Sequence, residues 1–278
     1  EARYGKAAGI EDFCLKGQAM NYESARGMYE AYARNKYSAT GITAWKYDAA
    51  WPASPTWQYV DWHLVAGGAY YGAKKALEPL HIQYSYDDHS VWVVNTFYRD
   101  FKGLKATARV FDLDLKERFS QSATAEVGPD GKTRLFTVRW PEDISKTFFL
   151  SLRLEDSAGR LVSDNFYWLS TVPEIPGTQG QRDRVYFIDP KSHPDYTALE
   201  KLPPARVKHT ARFEQQGRET VGQVKVENTG QTLAFLVHLA VSRGEKGEEV
   251  APCYWSDNYF ALLPGQRRAL TARFATED

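Results

Sequence analysis

Cysteine is almost absent from this 278-residue sequence, which holds only Cys14 and Cys253. Two cysteines so far apart do not form the framework of several disulfides that stabilises small secreted domains. Long apolar runs are also missing, since none approaches the roughly 20 residues needed to cross a membrane. Neither charge dominates, because 35 basic residues balance 35 acidic ones. The composition therefore predicts neither a nucleic-acid partner nor an anionic membrane partner.

Recognisable cofactor and metal motifs are missing as well. The six histidines are scattered without the spacing of metal ligands. The run Asp87-Asp88-His89 has the residue types of a metal cluster, but three adjacent polar residues between strands are typical of a hairpin turn. No glycine-rich phosphate loop or nucleophile elbow is present. We therefore expect neither a metal nor an organic cofactor.

Aromatic residues, by contrast, are abundant, and four of the eight tryptophans lie within residues 37–71. In this stretch, residues 41–45 have the β-branched and apolar character of a buried strand. A loop with two prolines follows, and then a helical pattern over residues 66–77. A strand, a loop and a helix in this order form one βα unit. In a (β/α)8 barrel, the active site lies at the C-terminal end of such a strand.

A long helix is predicted before that strand, over residues 10–34, with Asn35 as its stop. Gly17 and Gly27 each weaken an isolated helix by about 1 kcal/mol relative to alanine, so we expect them to allow close packing on a neighbour. The apolar residues at helical spacing are Phe13, Leu15, Met20, Tyr22, Met28, Tyr29 and Tyr32. One strand and two helices do not enclose a core. We therefore interpret residues 1–77 as the C-terminal end of a (β/α)8 barrel (TIM barrel).

From Glu78 onward the apolar pattern has a period of two, which predicts a mainly β protein with two immunoglobulin-like β-sandwiches. The predicted strands are residues 80–87, 90–98, 104–112, 117–125, 132–139, 147–155 and 160–168, and then 205–214, 219–227, 232–242, 249–254, 258–263 and 266–274. The sandwiches occupy residues 78–171 and 204–278, and each is expected to close its own core. Residues 172–203 form an extended connector, anchored by Tyr186, Phe187 and Tyr196.

Several motifs carry a resemblance to a known family. They are TAWKYDAAWP, QYVDW, AYYGAKKALEPLHIQYS, SDNFYWLS and SDNYFALLPGQ. These motifs resemble glycoside hydrolase family 2, in the branch of the exo-β-D-glucosaminidases, with the β-mannosidases and endo-β-mannosidases near by. The likeness covers nearly the whole chain but only the C-terminal part of the family. The first residues lack an initiator methionine and a signal-peptide pattern, and we expect them to lie inside a longer chain.

The resemblance implies hydrolysis of a terminal β-linked glucosamine, as in chitosan oligosaccharides, or of a β-mannoside. Retaining enzymes of this kind use two carboxyl groups about 5–5.5 Å apart. In the family, both come from barrel strands that precede the segment seen here, so this chain alone is expected to be inactive. Its implied partners are a β-linked oligosaccharide and the N-terminal part of the same enzyme, in the same polypeptide or as a separate subunit. Whether glucosaminides or mannosides are preferred stays open.

The resemblance also points to substrate-binding residues. Trp45, at the end of the predicted strand, matches the family's tryptophan that lines the subsite for the non-reducing sugar. An indole offers a sugar an apolar platform and one N–H donor, although a tryptophan here could also close the barrel core. Tyr47 would share the face of Trp45. Trp51 and Trp57 fit either the rim of the site or packing of the loop. Asp48 is a carboxylate near the strand end but has no second one placed to pair with it.

A rival interpretation is a non-catalytic carbohydrate-binding or scaffolding β-sandwich protein. Such a module has no use for the barrel-like first 77 residues and their apolar helices. The sequence therefore favours the glycosidase.

Overall fold

The structure is a computed structural model that describes residues 1–52, 58–177, 190–245 and 247–276. Helices α1 (Ile10–Arg34) and α2 (Gly68–Ala76) come first. The strands of the first sandwich are β1 (Leu80–Tyr84), β2 (Ser90–Asn95), β3 (Phe101–Phe111), β4 (Glu117–Val127), β5 (Lys132–Thr137), β6 (Thr147–Glu155) and β7 (Leu161–Ser170). Those of the second are β8 (Val207–Gln216), β9 (Glu219–Asn228), β10 (Ala234–Val237), β11 (Tyr254–Trp255), β12 (Phe260–Leu262) and β13 (Arg267–Ala275).

Helix α1 has the predicted bounds. The carboxylate of Asp12 accepts a hydrogen bond from the N–H of Ala8 (2.8 Å), in the first turn. Arg34 lies in the last turn, where a cation favours the helix dipole. The amide of Asn35 then donates to the carbonyl of Ala31 (2.8 Å), which satisfies one of the free carbonyls at the end. The second predicted helix is also present, as the shorter α2.

The predicted strand over residues 41–45 is wrong for this chain, because these residues are irregular. A central parallel strand takes hydrogen bonds from neighbours on both sides. In the part of the chain that the structure describes, no strand lies beside residues 41–45. The β-branched pair Ile42 and Thr43 does not form a strand without that pairing. After residue 45, the first residue that forms a β-bridge is Asp48, which pairs with Val60 in parallel orientation.

Glycines do bring the two helices together, but not the predicted ones. A Cβ added to Gly72 would lie 2.2 Å from the carbonyl oxygen of Tyr22, so only glycine fits against α1 there. A Cβ added to Gly68 would lie equally close, 2.2 Å, to the carbonyl oxygen of Gln18. A Cβ at Gly17 would meet nothing within 4 Å. The close contact therefore comes from the glycines of α2, whereas no described residue packs closely against Gly17.

The first sandwich has the seven predicted antiparallel strands in two sheets, of order β1-β2-β5 and β4-β3-β6-β7. Alternate residues of both sheets fill one apolar core, among them Ile82, Val93, Phe148 and Leu150. Residues 87–89 form the predicted turn between β1 and β2, closed by a hydrogen bond from the N–H of His89 to the carbonyl of Ser85 (2.9 Å). The mainly β, sandwich-based fold class is confirmed.

The second sandwich pairs a sheet of order β11-β13-β9-β8 with the two strands β10-β12. The expectation that this sandwich closes its own core is wrong, because its core is shared with other parts of the chain. Tyr22 and Tyr71 of the helices and Phe149 and Trp168 of the first sandwich belong to the same buried cluster. Of the predicted strand 249–254 only Tyr254 lies in a strand, the two-residue β11, which pairs with β13 at the edge of the sheet.

The connector is described at both of its ends. Tyr196 is buried, as predicted, and its hydroxyl donates to the carboxylate of Glu23 (2.7 Å). Tyr186 and Phe187 lie outside the described residues. Cys14 and Cys253 are both free. Neither described helix is long and apolar enough to cross a membrane.

The side of α1 that the chain buries carries three charged residues, whereas most of the large apolar residues of this helix are exposed. Glu23, Arg26 and Glu30 are buried. The exposed large apolar residues are Ile10, Phe13, Leu15, Met20 and Met28. Of the residues used to predict the helix, Tyr22 is fully buried and most others are not. The helical spacing was therefore correct, but it marks a face that this chain leaves uncovered.

Glu30 holds α1 to the first sandwich. Its Oε1 accepts hydrogen bonds from Nε2 of His81 (3.0 Å), Nδ2 of Asn165 (2.7 Å) and the hydroxyl of Tyr167 (2.8 Å). Nδ1 of His81 lies 3.0 Å from the carboxylate of Glu78. Burial alone would lower the pKa of His81, but its hydrogen bonds to these two carboxylates outweigh burial and raise it. The two carboxylates therefore favour the protonated form of the buried imidazole.

Alternating charges continue from Glu78 to the second sandwich. Lys75 of α2 donates to Glu78 (2.7 Å) and lies 3.3 Å from Asp164 of β7. Asp164 accepts from Arg268 of β13 (2.5 Å), which also pairs with Asp257. Each of these buried or half-buried charges has a partner of opposite sign, as burial requires. This series of ion pairs holds α2 in position between the two sandwiches.

Candidate functional site

Residues 47–49 and 58–67, which follow the predicted strand in the chain, are held together by backbone hydrogen bonds. The carbonyl of Tyr47 accepts hydrogen bonds from the N–H groups of Tyr59 (2.9 Å) and Val60 (3.0 Å). The carboxylate of Asp61 accepts from the N–H of Val65 (2.9 Å), and the N–H of Gly67 donates to the carbonyl of Tyr59 (2.9 Å). These bonds lead the chain directly into α2. The backbone of Tyr47 is thereby fixed although no sheet surrounds it.

Three of the predicted substrate-binding residues are exposed. Trp45 is 76% exposed, Tyr47 57% and Trp51 67%. Trp45 belongs to none of the three buried apolar clusters formed by the described residues. Within this chain it is therefore not a core residue. Trp57 lies outside the described residues.

Tyr47 opens onto a pocket of about 190 Å³. Its ring is parallel to that of Tyr59, with centroids 6.1 Å apart. The pocket is lined by Tyr47, Asp48, Val60, Leu64, Ala66, Tyr70, Tyr71, Pro252, Cys253 and Tyr254. Burial raises the pKa of Tyr70, and the neighbouring Tyr47 and Tyr254 add to that rise. The phenol of Tyr70 stays protonated and can serve as a donor.

Asp48 is the only carboxylate among the described residues that line this pocket. Asp61 and Glu249 do not line the pocket; burial and the charge of Asp61 raise the pKa of Glu249. Asp61 already accepts a backbone hydrogen bond. The arrangement offers aromatic surface and hydrogen-bonding groups for a sugar ring. It does not pair Asp48 with a second carboxylate inside the pocket, as retaining hydrolysis requires.

The pocket includes a wall that the sequence did not predict. Pro252, Cys253 and Tyr254 come from the second sandwich, about 200 residues after Tyr47 in the chain. In the sequence they lay in a predicted strand, and nothing there connects them to the loop after residue 45. Only the tertiary contact between β11 and α2 brings them together.

Comparison with known proteins supports the family resemblance. A family model described as an exo-beta-D-glucosaminidase Ig-fold domain matches residues 185–278. Another, described as a mannosidase Ig/CBM-like domain, matches residues 87–172. Both sandwiches are thus of types found in this group of enzymes.

Relatives of known activity match the chain along its length. An exo-beta-D-glucosaminidase of Streptomyces avermitilis is 39% identical over 289 residues, which cover 99% of this chain and 31% of the relative. The one from Amycolatopsis orientalis is 37% identical, over 99% of this chain and 27% of the relative. A mannosylglycoprotein endo-beta-mannosidase of Lilium longiflorum is 23% identical. The chain therefore spans about a third of the length of the relatives it matches.

Solved structures agree with this match. The crystal structure of the Amycolatopsis orientalis exo-chitosanase CsxA superposes with a TM-score of 0.92 at 36% identity, over 99% of this chain and 33% of that one. A beta-D-mannosidase from Dictyoglomus thermophilum shares the fold, with a TM-score of 0.69 at 16% identity. The resemblance stated from the sequence is confirmed.

Proposed function

Because this chain corresponds to the C-terminal part of the exo-β-D-glucosaminidases of glycoside hydrolase family 2, we propose that it completes the substrate site of a retaining β-glycosidase. The enzyme would release terminal β-linked glucosamine from chitosan oligosaccharides. The observation that carries this proposal is the match to glucosaminidases over 99% of the chain. A β-mannosidase is the alternative within the same reaction class.

Both catalytic carboxylates would lie on the N-terminal part of the enzyme. The arrangement around Asp48, a lone carboxylate among the described pocket residues, supports this division. Trp45, Tyr47, Trp51 and Trp57 would bind substrate rather than transfer protons. The rings of Trp45, Tyr47 and Trp51 are exposed, as sugar-binding rings should be, and Tyr47 lines the pocket.

The uncovered apolar face of α1 supports a bound N-terminal part. Ile10, Phe13, Met20 and Met28 are exposed on one side of the helix, and such surfaces on soluble proteins mark contact sites. Residues 41–45 also lack strand partners among the described residues. Parallel barrel strands would supply both contacts. The resulting interface would resemble a domain core cut in half and exceed about 2,000 Å².

Activity of the isolated chain tests whether the catalytic carboxylates lie on the N-terminal part of the enzyme. We expect no turnover of aryl β-glucosaminide or aryl β-mannoside by the purified chain, and turnover by the complete enzyme. Activity of the isolated chain that an Asp48→Asn change abolishes would contradict the proposal. Binding of glucosamine oligosaccharides by the chain alone, with an inactive complete protein, would favour the rival carbohydrate-binding module.

Trp45 tests the sugar-binding role. In the complete enzyme, Trp45→Ala should lower kcat/KM by roughly 100-fold or more, because the sugar loses its platform and orientation. The stability of the isolated chain should hardly change, since the side chain is exposed. Trp62→Ala, which removes another exposed indole from the same loop region, is the control. Unchanged kinetics with a large loss of stability would instead identify Trp45 as a core residue.

Hydrogen exchange tests the missing partner. The amides of Ile42 to Trp45 should exchange rapidly in the isolated chain and become protected in the complete enzyme, where neighbouring strands would pair with them. Strong protection in the isolated monomer would show that the segment orders without a partner.

A further inference from the structure

The pocket beside Tyr47 joins two parts of the molecule that are distant in sequence. The loop after residue 45 supplies Tyr47 and Asp48, whereas the second sandwich supplies Pro252, Cys253 and Tyr254. Helix α2 forms the floor through Tyr70 and Tyr71. The second sandwich therefore reaches the same region as the proposed substrate-binding residues.

Tyr254 is held rigidly on that sandwich. It pairs with Arg273 of β13, and the next residue, Trp255, is buried in the shared core. Successive side chains of a strand point to opposite faces, so the burial of Trp255 turns Tyr254 outward. The ammonium of Lys74 on α2 donates to the carbonyl of Trp255 (2.7 Å) and fixes β11 against the floor of the pocket. Tyr254 itself is 62% exposed.

The size and lining of the pocket suit one sugar ring. Its volume of about 190 Å³ is below the roughly 300–1,000 Å³ of pockets for drug-sized ligands. Four tyrosines line it, and phenol rings combine an apolar face with a hydroxyl that can meet sugar hydroxyls. Neither Tyr47 nor Tyr254 makes a side-chain hydrogen bond among those found in the described residues.

The position of the pocket indicates which sugar it would hold. Tyr47 follows Trp45 by two residues, so the pocket lies beside the place proposed for the non-reducing sugar. An exo-acting enzyme holds one sugar there, and the neighbouring ring is the one on the reducing side of the bond that is cleaved. We propose that Tyr254 and Tyr47 form the subsite for this leaving-group sugar. The assignment rests on the proposed function and adds the second sandwich to the substrate site.

Substrates with and without a leaving-group sugar test the assignment in the complete enzyme. Tyr254→Ala should lower kcat/KM for the β-linked disaccharide by roughly five- to tenfold, about the worth of one aromatic contact. For the corresponding glycosyl fluoride, which places no sugar in this subsite, kcat/KM should stay unchanged. Tyr254→Phe should retain most activity on both substrates. Tyr98→Ala, at an exposed tyrosine of the first sandwich, is the matched control.

The kinetic results can contradict the subsite assignment or the proposed function separately. Equal losses on both substrates, or no loss on the disaccharide, would overturn the assignment of the subsite. If Tyr254→Ala does not fold, Tyr254→Leu keeps an apolar side chain without a ring face and should show the same selective loss. A wild-type enzyme that cleaves neither glucosaminides nor mannosides would overturn the proposed function itself. The wild-type enzyme should first be assayed with the glucosaminide and the mannoside. The variants are then compared on the disaccharide of whichever sugar the wild-type enzyme releases.

Discussion

The core of the first sandwich and the junction between α1 and that sandwich are both buried, but the core is built from apolar side chains and the junction from charged ones. Ile82, Phe148 and Leu150 fill the core without polar atoms. At the junction, buried Arg26 and Glu30 take the place that apolar residues would have on an ordinary amphipathic helix. The core gains stability from apolar area removed from water. The junction depends on complete pairing of charges, since a buried charge without its partner is costly.

This difference explains what a pattern of apolar residues can reveal. In the sandwich, the period of two predicts both the strands and the faces that are buried. On α1 the period of 3.6 predicts the helix, but most of its large apolar residues are exposed whereas Glu23, Arg26 and Glu30 are buried. A helix between two neighbours has two buried faces, and this chain covers only the charged one. The exposed apolar face is where the proposed N-terminal part would bind.

The largest expected loss of stability comes from breaking the apolar core. Phe148→Ala should lower the free energy of unfolding of the first sandwich by about 3–5 kcal/mol, because the change removes a buried ring and leaves a cavity. Tyr98→Ala, at a highly exposed position of the same sandwich, should change it by less than about 0.5 kcal/mol. Urea titrations followed by circular dichroism measure both. Similar small losses for the two variants would show that this core is loosely packed.

Breaking the junction should cost nearly as much. Glu30→Gln keeps the size of the side chain but removes the carboxylate charge that faces His81, and about 3 kcal/mol of stability should be lost. Glu11→Gln, in the exposed first turn of the same helix, is the control. Hydrogen exchange should show the loss at α1 while β6 stays protected. Exchange that rises equally in both elements would mean that junction and core unfold as one unit.

The contrast also shows how much of the molecule its sequence could predict. The bounds of α1 and the strands of the first sandwich follow from short-range spacing, and the structure reproduces them. The contacts of Glu30 with His81 and Asn165 join residues 51 and 135 positions apart, so no local pattern reveals them. The site divides in the same way. Trp45 was predicted from a local motif, whereas Tyr254 enters through a contact that exists only in the folded chain.

A matched pair of glycine substitutions separates helix propensity from helix packing. Gly72→Ala should destabilise the α1–α2 pair by about 1–3 kcal/mol, because a Cβ would lie 2.2 Å from the carbonyl of Tyr22. Gly17→Ala should stabilise it by up to about 1 kcal/mol, since a Cβ there would meet nothing within 4 Å. Thermal unfolding followed at 222 nm compares the two. If both substitutions change the stability in the same direction, the helices leave room for a Cβ at position 72.

The smallest expected effect is the pH dependence of stability, because a single proton changes it by at most about 1.4 kcal/mol per pH unit. Two histidines should act in opposite directions. At the junction, hydrogen bonds to Glu30 and Glu78 outweigh burial and raise the pKa of His81. Its stabilising effect is therefore complete below pH 6.5 and is lost as pH rises through the raised pKa, since the folded chain then releases a proton it had kept.

In the second sandwich, burial lowers the pKa of His238. As pH falls below 6.5 the unfolded chain takes up a proton that the folded chain does not, so His238 reduces stability on the acidic side. Urea titrations between pH 5 and 9 should show that His81→Gln removes the alkaline loss and His238→Gln the acidic one. A His81→Gln variant that keeps the alkaline loss would show that the cation between the two carboxylates is not what holds the junction together.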